Sequence, residues 1–168
     1  MIKEIQKNGF TLIEIIVVVV ILAIAAAMAV PMFSGGAQIQ AQSAASMVAA
    51  SLEYAKSMAI SHQMQYGVVF YTGTDSYNVV DQNNATVSHP VDVGSRYIVN
   101  FHSTGSSISN VDLKTANFDS TSKITFDYLG SPYNGSGGSL NSGTITVQGG
   151  GTTKTITVSP VTGYIQIQ

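Results

Sequence analysis

The longest apolar stretch of this chain lies close to its N-terminus. From Phe10 to Val30 there are 21 residues, and only Thr11 and Glu14 among them are polar. A helix of that length extends about 32 Å, which is enough to cross the hydrocarbon core of a bilayer. The pattern therefore predicts a transmembrane helix over residues 10–30.

The residues before this helix predict its orientation. Lys3 and Lys7 precede it, against the single acid Glu4. By the positive-inside rule, residues 1–9 lie in the cytoplasm and the chain beyond the helix lies outside. We therefore expect a single-pass protein of the inner (cytoplasmic) membrane with a periplasmic, or otherwise extracytoplasmic, C-terminal part. A cleaved secretory signal peptide is an alternative, but the apolar run is long for one.

A second helical pattern follows Pro31. Small and apolar residues recur at three- and four-residue spacings, which predicts an amphipathic helix over residues 31–63. The predicted buried face consists of Ala41, Ala44, Ala45, Val48, Ala49, Leu52, Ala55, Met58 and Ala59. Pro31 is expected to kink or break the helix, because proline removes a helical hydrogen bond. A simple helix stop at the membrane surface is the alternative.

Residues 64–168 predict a β-rich head. Short runs of β-branched and aromatic residues, separated by Gly, Asn, Asp and Pro, are typical of strands and turns. The predicted strands cover residues 66–71, 76–80, 97–101, 123–128, 143–147, 155–158 and 164–167. Gly149–Gly151 joins two of them into a hairpin, and residues 134–142 are expected to form a flexible loop. The fold class is therefore α+β, with the second half of a long N-terminal helix packed on one antiparallel sheet or on two packed sheets.

Glu14 is an acid inside the predicted membrane helix. A carboxylate there costs at least about 2.5 kcal/mol unless it is paired, so we expect another chain to supply a partner. Residues 7–14, Lys-Asn-Gly-Phe-Thr-Leu-Ile-Glu, resemble the processing motif of type IV prepilins and type II secretion prepseudopilins. The resemblance implies that residues 1–9 are a leader, that prepilin peptidase cleaves between Gly9 and Phe10, and that Phe10 is N-methylated.

The same resemblance implies how such a chain would assemble. The new amine of Phe10 on one subunit would neutralise Glu14 of another, which also sets the register between them. The implied partners are prepilin peptidase, other pilin or pseudopilin subunits, the inner-membrane assembly platform and, before assembly, membrane lipid.

The C-terminal part resembles the GspH/FimT family of minor pseudopilins. The shared pattern is a strand at 124–129, a Gly-Pro turn at 130–132, a hairpin, and a Thr162-Gly163 turn before a closing strand. This resemblance implies a minor subunit of a type II secretion pseudopilus or a type IV pilus. The alternatives are a major pilin or pseudopilin, a DNA-receptor minor pilin for DNA uptake, and an unrelated signal-anchored envelope protein.

Composition narrows these alternatives. The chain has no cysteine, whereas many type IV pilins close a C-terminal loop with a disulfide. This difference disfavours a disulfide-looped major pilin. DNA-binding surfaces need clustered cations, and the basic residues beyond Pro31 are scattered. They are Lys56, Arg96, Lys114, Lys123 and Lys154. Nucleic acid is therefore not an expected partner.

The sequence contains no recognisable enzyme motif, so we expect a non-enzymatic protein without a cofactor. His62, His89 and His102 are far apart and lack metal-ligand spacing. The aspartates of the head have no calcium-loop spacing and are interpreted as solvated turn residues. They are Asp75, Asp81, Asp92, Asp112, Asp119 and Asp127. No metal site is expected.

Overall fold

The computed structural model describes residues 11–92 and 94–168, without the side chains of residues 27–35 and 37. Over this range the chain forms one helix followed by nine strands, which confirms the α+β class. The elements are α1 (Leu12–His62), β1 (Tyr66–Tyr71), β2 (Ser76–Asp81), β3 (Ile98–Asn100), β4 (Val111–Phe118), β5 (Lys123–Phe126), β6 (Pro132–Asn134), β7 (Gly143–Gly149), β8 (Thr152–Val158) and β9 (Ile165–Ile167). The chain divides into two compact units, Met1–Gly35 and Gly36–Gln168.

Within the first unit, the structure describes the N-terminal part of α1. Thr11 caps this helix, since the Glu14 N–H lies 3.1 Å from the Thr11 carbonyl oxygen and 3.3 Å from Thr11 Oγ1. Over the described residues, no helical segment combines the length and the apolar character that a membrane span requires. The predicted span over residues 10–30 is therefore not confirmed.

Pro31 does not end the helix. The helical assignment of α1 is continuous from Leu12 to His62, so the predicted alternative of a helix stop at Pro31 is wrong. A proline inside a helix costs a hydrogen bond without necessarily ending it. The expected kink stays a prediction, because the side chain of Pro31 lies outside the described residues.

In the second unit, α1 buries the face that the sequence predicts. The fully buried positions of the predicted face are Ala41, Ala44, Ala45, Val48, Leu52, Ala55 and Ala59, and Ser51 between them is also fully buried. Ala49 and Met58 are partly buried against the same core. The 3.6-residue period of the sequence therefore locates the inner face of the helix correctly.

The strands form two antiparallel sheets. The first has five strands in the order β3-β2-β1-β5-β6, and the second has four in the order β4-β7-β8-β9. One hydrophobic core contains the α1 face and inward side chains of both sheets. The rings of Phe70 on β1 and Phe118 on β4 stack there with centroids 5.7 Å apart. Of the two predicted alternatives, one antiparallel sheet or two packed sheets, the structure confirms the second.

Most predicted strands are confirmed, with shifted ends. The β7–β8 hairpin is longer than predicted, and Gly150 and Gly151 form its two-residue turn with φ of 57° and 78°. Along β7, residues alternate between buried and partly exposed, as predicted for a half-buried strand. The strands predicted at 97–101 and 123–128 are shorter, covering Ile98–Asn100 and Lys123–Phe126.

Two strands were not predicted. The first, β4, has a register shift between Leu113 and Thr115 where it pairs with β7. This bulge places Lys114 outside the ladder, so the apolar residues of β4 do not keep a period of two. The second, β6, has three residues and begins at Pro132, which leaves too little pattern to recognise.

Candidate functional site

Glu14 is predicted to pair with the Phe10 amine of another subunit, and the structure describes its side chain. It is exposed in the first turn of α1, where a carboxylate interacts favourably with the positive end of the helix dipole. Thr11 and Glu14 have the spacing of a capping box. Gly9 and Phe10 lie outside the described residues, so cleavage and methylation there stay predictions.

The apolar side chains that follow Glu14 are exposed to solvent in the isolated chain. Every side chain from Thr11 to Ala26 is exposed, and the exposed fraction is 78% for Leu12 and 48% for Val18. Soluble monomers rarely expose a continuous apolar surface of this extent. The segment is therefore suited to burial in lipid or against other chains.

A buried hydroxyl cluster fastens α1 to the first sheet. Ser51 Oγ lies 2.9 Å from the Met47 carbonyl oxygen, 2.8 Å from the Tyr77 hydroxyl and 3.0 Å from the Tyr97 hydroxyl. Burial raises the pKa of Tyr77 far above its usual value. Sequence reasoning missed this cluster, although Ser51 is a single polar residue on an otherwise apolar helix face.

Lys56 connects α1 to the C-terminal turn of the chain. Its ammonium group donates to the carbonyl oxygens of Thr162, at 3.1 Å, and Gly163, at 3.0 Å. Gly163 has φ of 59°, and a Cβ there would lie 2.6 Å from the Gly130 carbonyl oxygen. The expected Thr-Gly turn and closing strand are thus confirmed, and the close approach explains why glycine is needed.

The predicted loop at 134–142 is tied to the β4–β5 turn by hydrogen bonds. The Asp119 carboxylate accepts the backbone N–H groups of Asn141, at 2.9 Å, and Ser142, at 3.0 Å. These bonds, with further donation from Asn134, hold the pKa of Asp119 below its usual value despite some desolvation. Asn134 also accepts the N–H of Gly138 at 3.0 Å, which closes the first half of the loop.

The side chains of Asp75, His102 and Asp112, which were interpreted separately from the sequence, lie close together in the structure. His102 Nε2 is 3.2 Å from Asp75 Oδ2 and 3.8 Å from Asp112 Oδ1. Lys114 Nζ lies 2.7 Å from the other oxygen of Asp112, and its hydrogen bond holds the pKa of Asp112 below its usual value. Spacing along the chain could not reveal this cluster, because its members come from a turn, a loop and a strand.

The other two histidines have local hydrogen bonds. His62 Nδ1 lies 3.2 Å from the Met58 carbonyl oxygen at the end of α1. His89 Nδ1 accepts the N–H groups of Val91, at 3.2 Å, and Asp92, at 2.9 Å. An acceptor at Nδ1 places the proton of a neutral ring on Nε2. In the described residues, neither histidine belongs to a group of potential metal ligands.

Solved structures of low sequence identity share the fold. The minor pseudopilin EpsH from the type 2 secretion system of Vibrio cholerae is 11% identical, with a TM-score of 0.53 over 77% of this chain and 96% of that one. The type IV minor pilin FimU of Pseudomonas aeruginosa is 17% identical, with a TM-score of 0.51 over 78% and 90%. No curated protein sequence matches the chain.

Family comparison covers both ends of the chain. The prokaryotic N-terminal methylation motif matches residues 6–30, which include Gly9, Phe10 and Glu14. The family described as type II transport protein GspH matches residues 44–163, more than half of the chain. That range contains most of the buried face of α1 and the strands β1–β8. The chain carries a prepilin-type methylation motif and belongs to the GspH family.

Proposed function

We propose that this chain is a minor, non-enzymatic structural subunit of a type II secretion pseudopilus or a type IV pilus, assembled through its N-terminal helix. One observation carries the proposal: a methylation motif at residues 6–30 precedes a GspH domain at residues 44–163 in the same chain. Family members of this kind interact with other pilin-like subunits. The shared fold with a minor pseudopilin and a minor pilin supports the same class of role.

Before assembly, the chain is anchored in the inner membrane. Residues 10–30 anchor it, with residues 1–9 in the cytoplasm and the head in the periplasm, as the lysines before the helix favour. The exposed apolar side chains of α1 support this stage, because a continuous apolar surface is suited to burial in lipid. Residues 31–63 then extend the helix into the head of residues 64–168.

Processing prepares the chain for assembly. Prepilin peptidase cleaves between Gly9 and Phe10, and the new amine is methylated. The cleavage places a cation four residues before Glu14. As subunits leave the bilayer, the Phe10 amine of one pairs with Glu14 of another, and the apolar helices exchange lipid contact for contact with each other. The unpaired alternative leaves a charge in an apolar environment, which is costly.

Fibre incorporation of acid variants tests this proposal. In the native host, Glu14→Ala should reach the membrane and be cleaved like the wild type, yet be depleted from sheared fibres at least tenfold. Glu53→Ala is the matched control, since Glu53 is an exposed acid on the same helix, and it should be incorporated normally. Normal incorporation of Glu14→Ala would show that the pairing role is wrong. The fibre that contains the wild-type chain identifies the secretion or the pilus system.

A further inference from the structure

The cluster of Asp75, His102 and Asp112 lies where three separate elements meet. Asp75 is in the β1–β2 turn with φ of 46°. His102 is in the loop that follows β3, and Asp112 is the second residue of β4. The backbone holds this arrangement, because Phe101 N donates to the Asp75 carbonyl oxygen at 3.0 Å and Leu113 N donates to Asp75 Oδ1 at 2.7 Å.

A hydrogen bond outside the cluster fixes the proton of the imidazole. His102 Nδ1 lies 2.8 Å from the Ser109 carbonyl oxygen. A carbonyl oxygen can only accept, so Nδ1 is the donor. In the neutral ring, Nε2 then presents a lone pair to Asp75 Oδ2 and Asp112 Oδ1. Nε2 and the two carboxylate oxygens face one another, and either a proton on Nε2, donated to Asp75 Oδ2, or a metal ion supplies the positive charge between them. Metal-binding histidines show this same second hydrogen bond to a carbonyl or carboxylate.

The distances indicate which positive charge fits. A protonated imidazole bonded to a carboxylate has a typical N···O distance of about 2.7–2.9 Å. The distance from Nε2 to Asp75 Oδ2, 3.2 Å, is at the long end of a hydrogen bond, and the distance to Asp112 Oδ1, 3.8 Å, is beyond one. Ligand atoms about 2.0–2.1 Å from a tetrahedral Zn²⁺ lie roughly 3.3–3.4 Å apart. The three candidate atoms all lie within 4.8 Å of one another, so small side-chain rotations bring them to these spacings.

We propose that Asp75, His102 and Asp112 bind a divalent transition-metal ion, with Zn²⁺ as the best fit. One nitrogen and two carboxylate oxygens suit Zn²⁺, whereas Ca²⁺ and Mg²⁺ prefer oxygen ligands alone. The side chains of His102 and Asp112 are 44% and 48% exposed, which leaves room for water as a further ligand. Lys114 contacts Asp112 Oδ2, so Asp112 Oδ1 stays free for the metal.

A bound ion would join the two sheets at one end of the head. It would link the β1–β2 turn of the first sheet to β4, an edge strand of the second. Asp75 already joins them through its bond to Leu113 N. Metal binding to the folded state alone raises the unfolding midpoint by mass action, so the site would stabilise the head.

The test uses the full chain in detergent, without a histidine tag, after removal of metals with a chelator. Isothermal titration calorimetry with Zn²⁺ should show one ion bound per chain. Co²⁺ added to the metal-free chain should give the visible absorption bands of a tetrahedral site. His102→Gln and Asp112→Asn should each weaken Zn²⁺ binding by at least roughly tenfold. His62→Gln is the matched control and should bind like the wild type.

A fourth variant separates a metal site from a plain ion-pair network. Lys114→Met removes a cation beside Asp112, so the site becomes more negative and should bind Zn²⁺ at least as tightly as the wild type. Circular dichroism at the same concentrations checks that His102→Gln and Asp112→Asn remain folded. The proposal is overturned if the wild type binds no Zn²⁺ or Co²⁺, or if folded His102→Gln binds Zn²⁺ as tightly as the wild type.

Discussion

The two halves of α1 differ both in sequence pattern and in surroundings, since the first is almost continuously apolar and the second is amphipathic. From Leu12 to Ala26, every side chain is exposed, whereas eight residues from Ala41 to Ala59, Ser51 among them, have no exposed surface. The second half is buried by its own head, through hydrophobic packing and a few specific polar contacts. The first half has no such cover in the described part of the chain. One half of the helix therefore stabilises the fold, while the other half exposes an apolar surface that the proposed function assigns to assembly.

The largest expected difference in stability is between two leucine-to-alanine substitutions, one in each half of α1. Leu52→Ala removes a fully buried side chain from the core and should lower the free energy of unfolding of the head by about 2–5 kcal/mol. Leu22→Ala alters a side chain that is 62% exposed and should change it by less than about 0.5 kcal/mol. Urea denaturation of the full chain in detergent, followed by near-ultraviolet circular dichroism, measures both. Equal effects would contradict the division of α1 into two roles.

The hydroxyl cluster predicts a second difference along the same helix. Ser51→Ala leaves the buried Tyr77 and Tyr97 hydroxyls without their shared partner, which should lower the free energy of unfolding by roughly 1–3 kcal/mol. Ser46→Ala, at an exposed helix position, is the control and should have almost no effect. The same denaturation experiment measures the two variants, and a neutral Ser51→Ala would show that the cluster does not stabilise the fold.

Lys56 should contribute less, because it is only partly buried. Lys56→Met removes the donor to the carbonyl oxygens of Thr162 and Gly163 and should cost about 1 kcal/mol of unfolding free energy. It should also speed proteolysis at the 159–164 turn, since this contact holds the turn against α1. Lys154→Met, on strand β8, serves as the control and should leave the turn as resistant as in the wild type. Unchanged proteolysis of Lys56→Met would contradict this anchoring role.

The smallest expected effect is the loss of stability at acidic pH that depends on Asp119. The pKa of Asp119 in the folded chain lies below its ordinary value of 3.8, because backbone N–H groups stabilise the carboxylate. The carboxylate therefore contributes stability that is present above pH 3.8, and this contribution is lost as the pH falls below that value. Asp119→Asn should therefore reduce the slope of the free energy of unfolding against pH on the acid side. Substitutions in the half of α1 before Gly36 should leave that slope unchanged. An unchanged acid slope would contradict the assignment.

The sequence predicted best those features that depend on local periodicity. The inner face of α1 and the β7–β8 hairpin follow from spacings of 3.6 and 2 residues, and both are confirmed. The strand β4 was missed because the bulge at Lys114 interrupts its alternation. A pattern search treats such an interruption as the end of a strand.

The candidate sites divide in the same way. Glu14 was recognisable from a short motif, because all the chemistry of that site lies within eight residues of sequence. The Asp75, His102 and Asp112 cluster was not, since its members are brought together by the pairing of β2 with β3 and by the contact between the two sheets. Ser51 lies between these cases: its position on an apolar face was visible, but its partners Tyr77 and Tyr97 come from the sheet side of the core.

The N-terminal residue of the mature chain tests the central claim most directly. Mass spectrometry of the N-terminal peptide, from chain purified out of native membranes, should identify N-methylated Phe10 as the first residue. That result would mean that residues 1–9 are a leader and that a cationic amine lies four residues before Glu14. A mature chain that begins at Met1, or after Ala27 or Ala29 where the small residues would suit the cleavage of a secretory signal peptide, would contradict the assignment of the exposed half of α1 to fibre assembly.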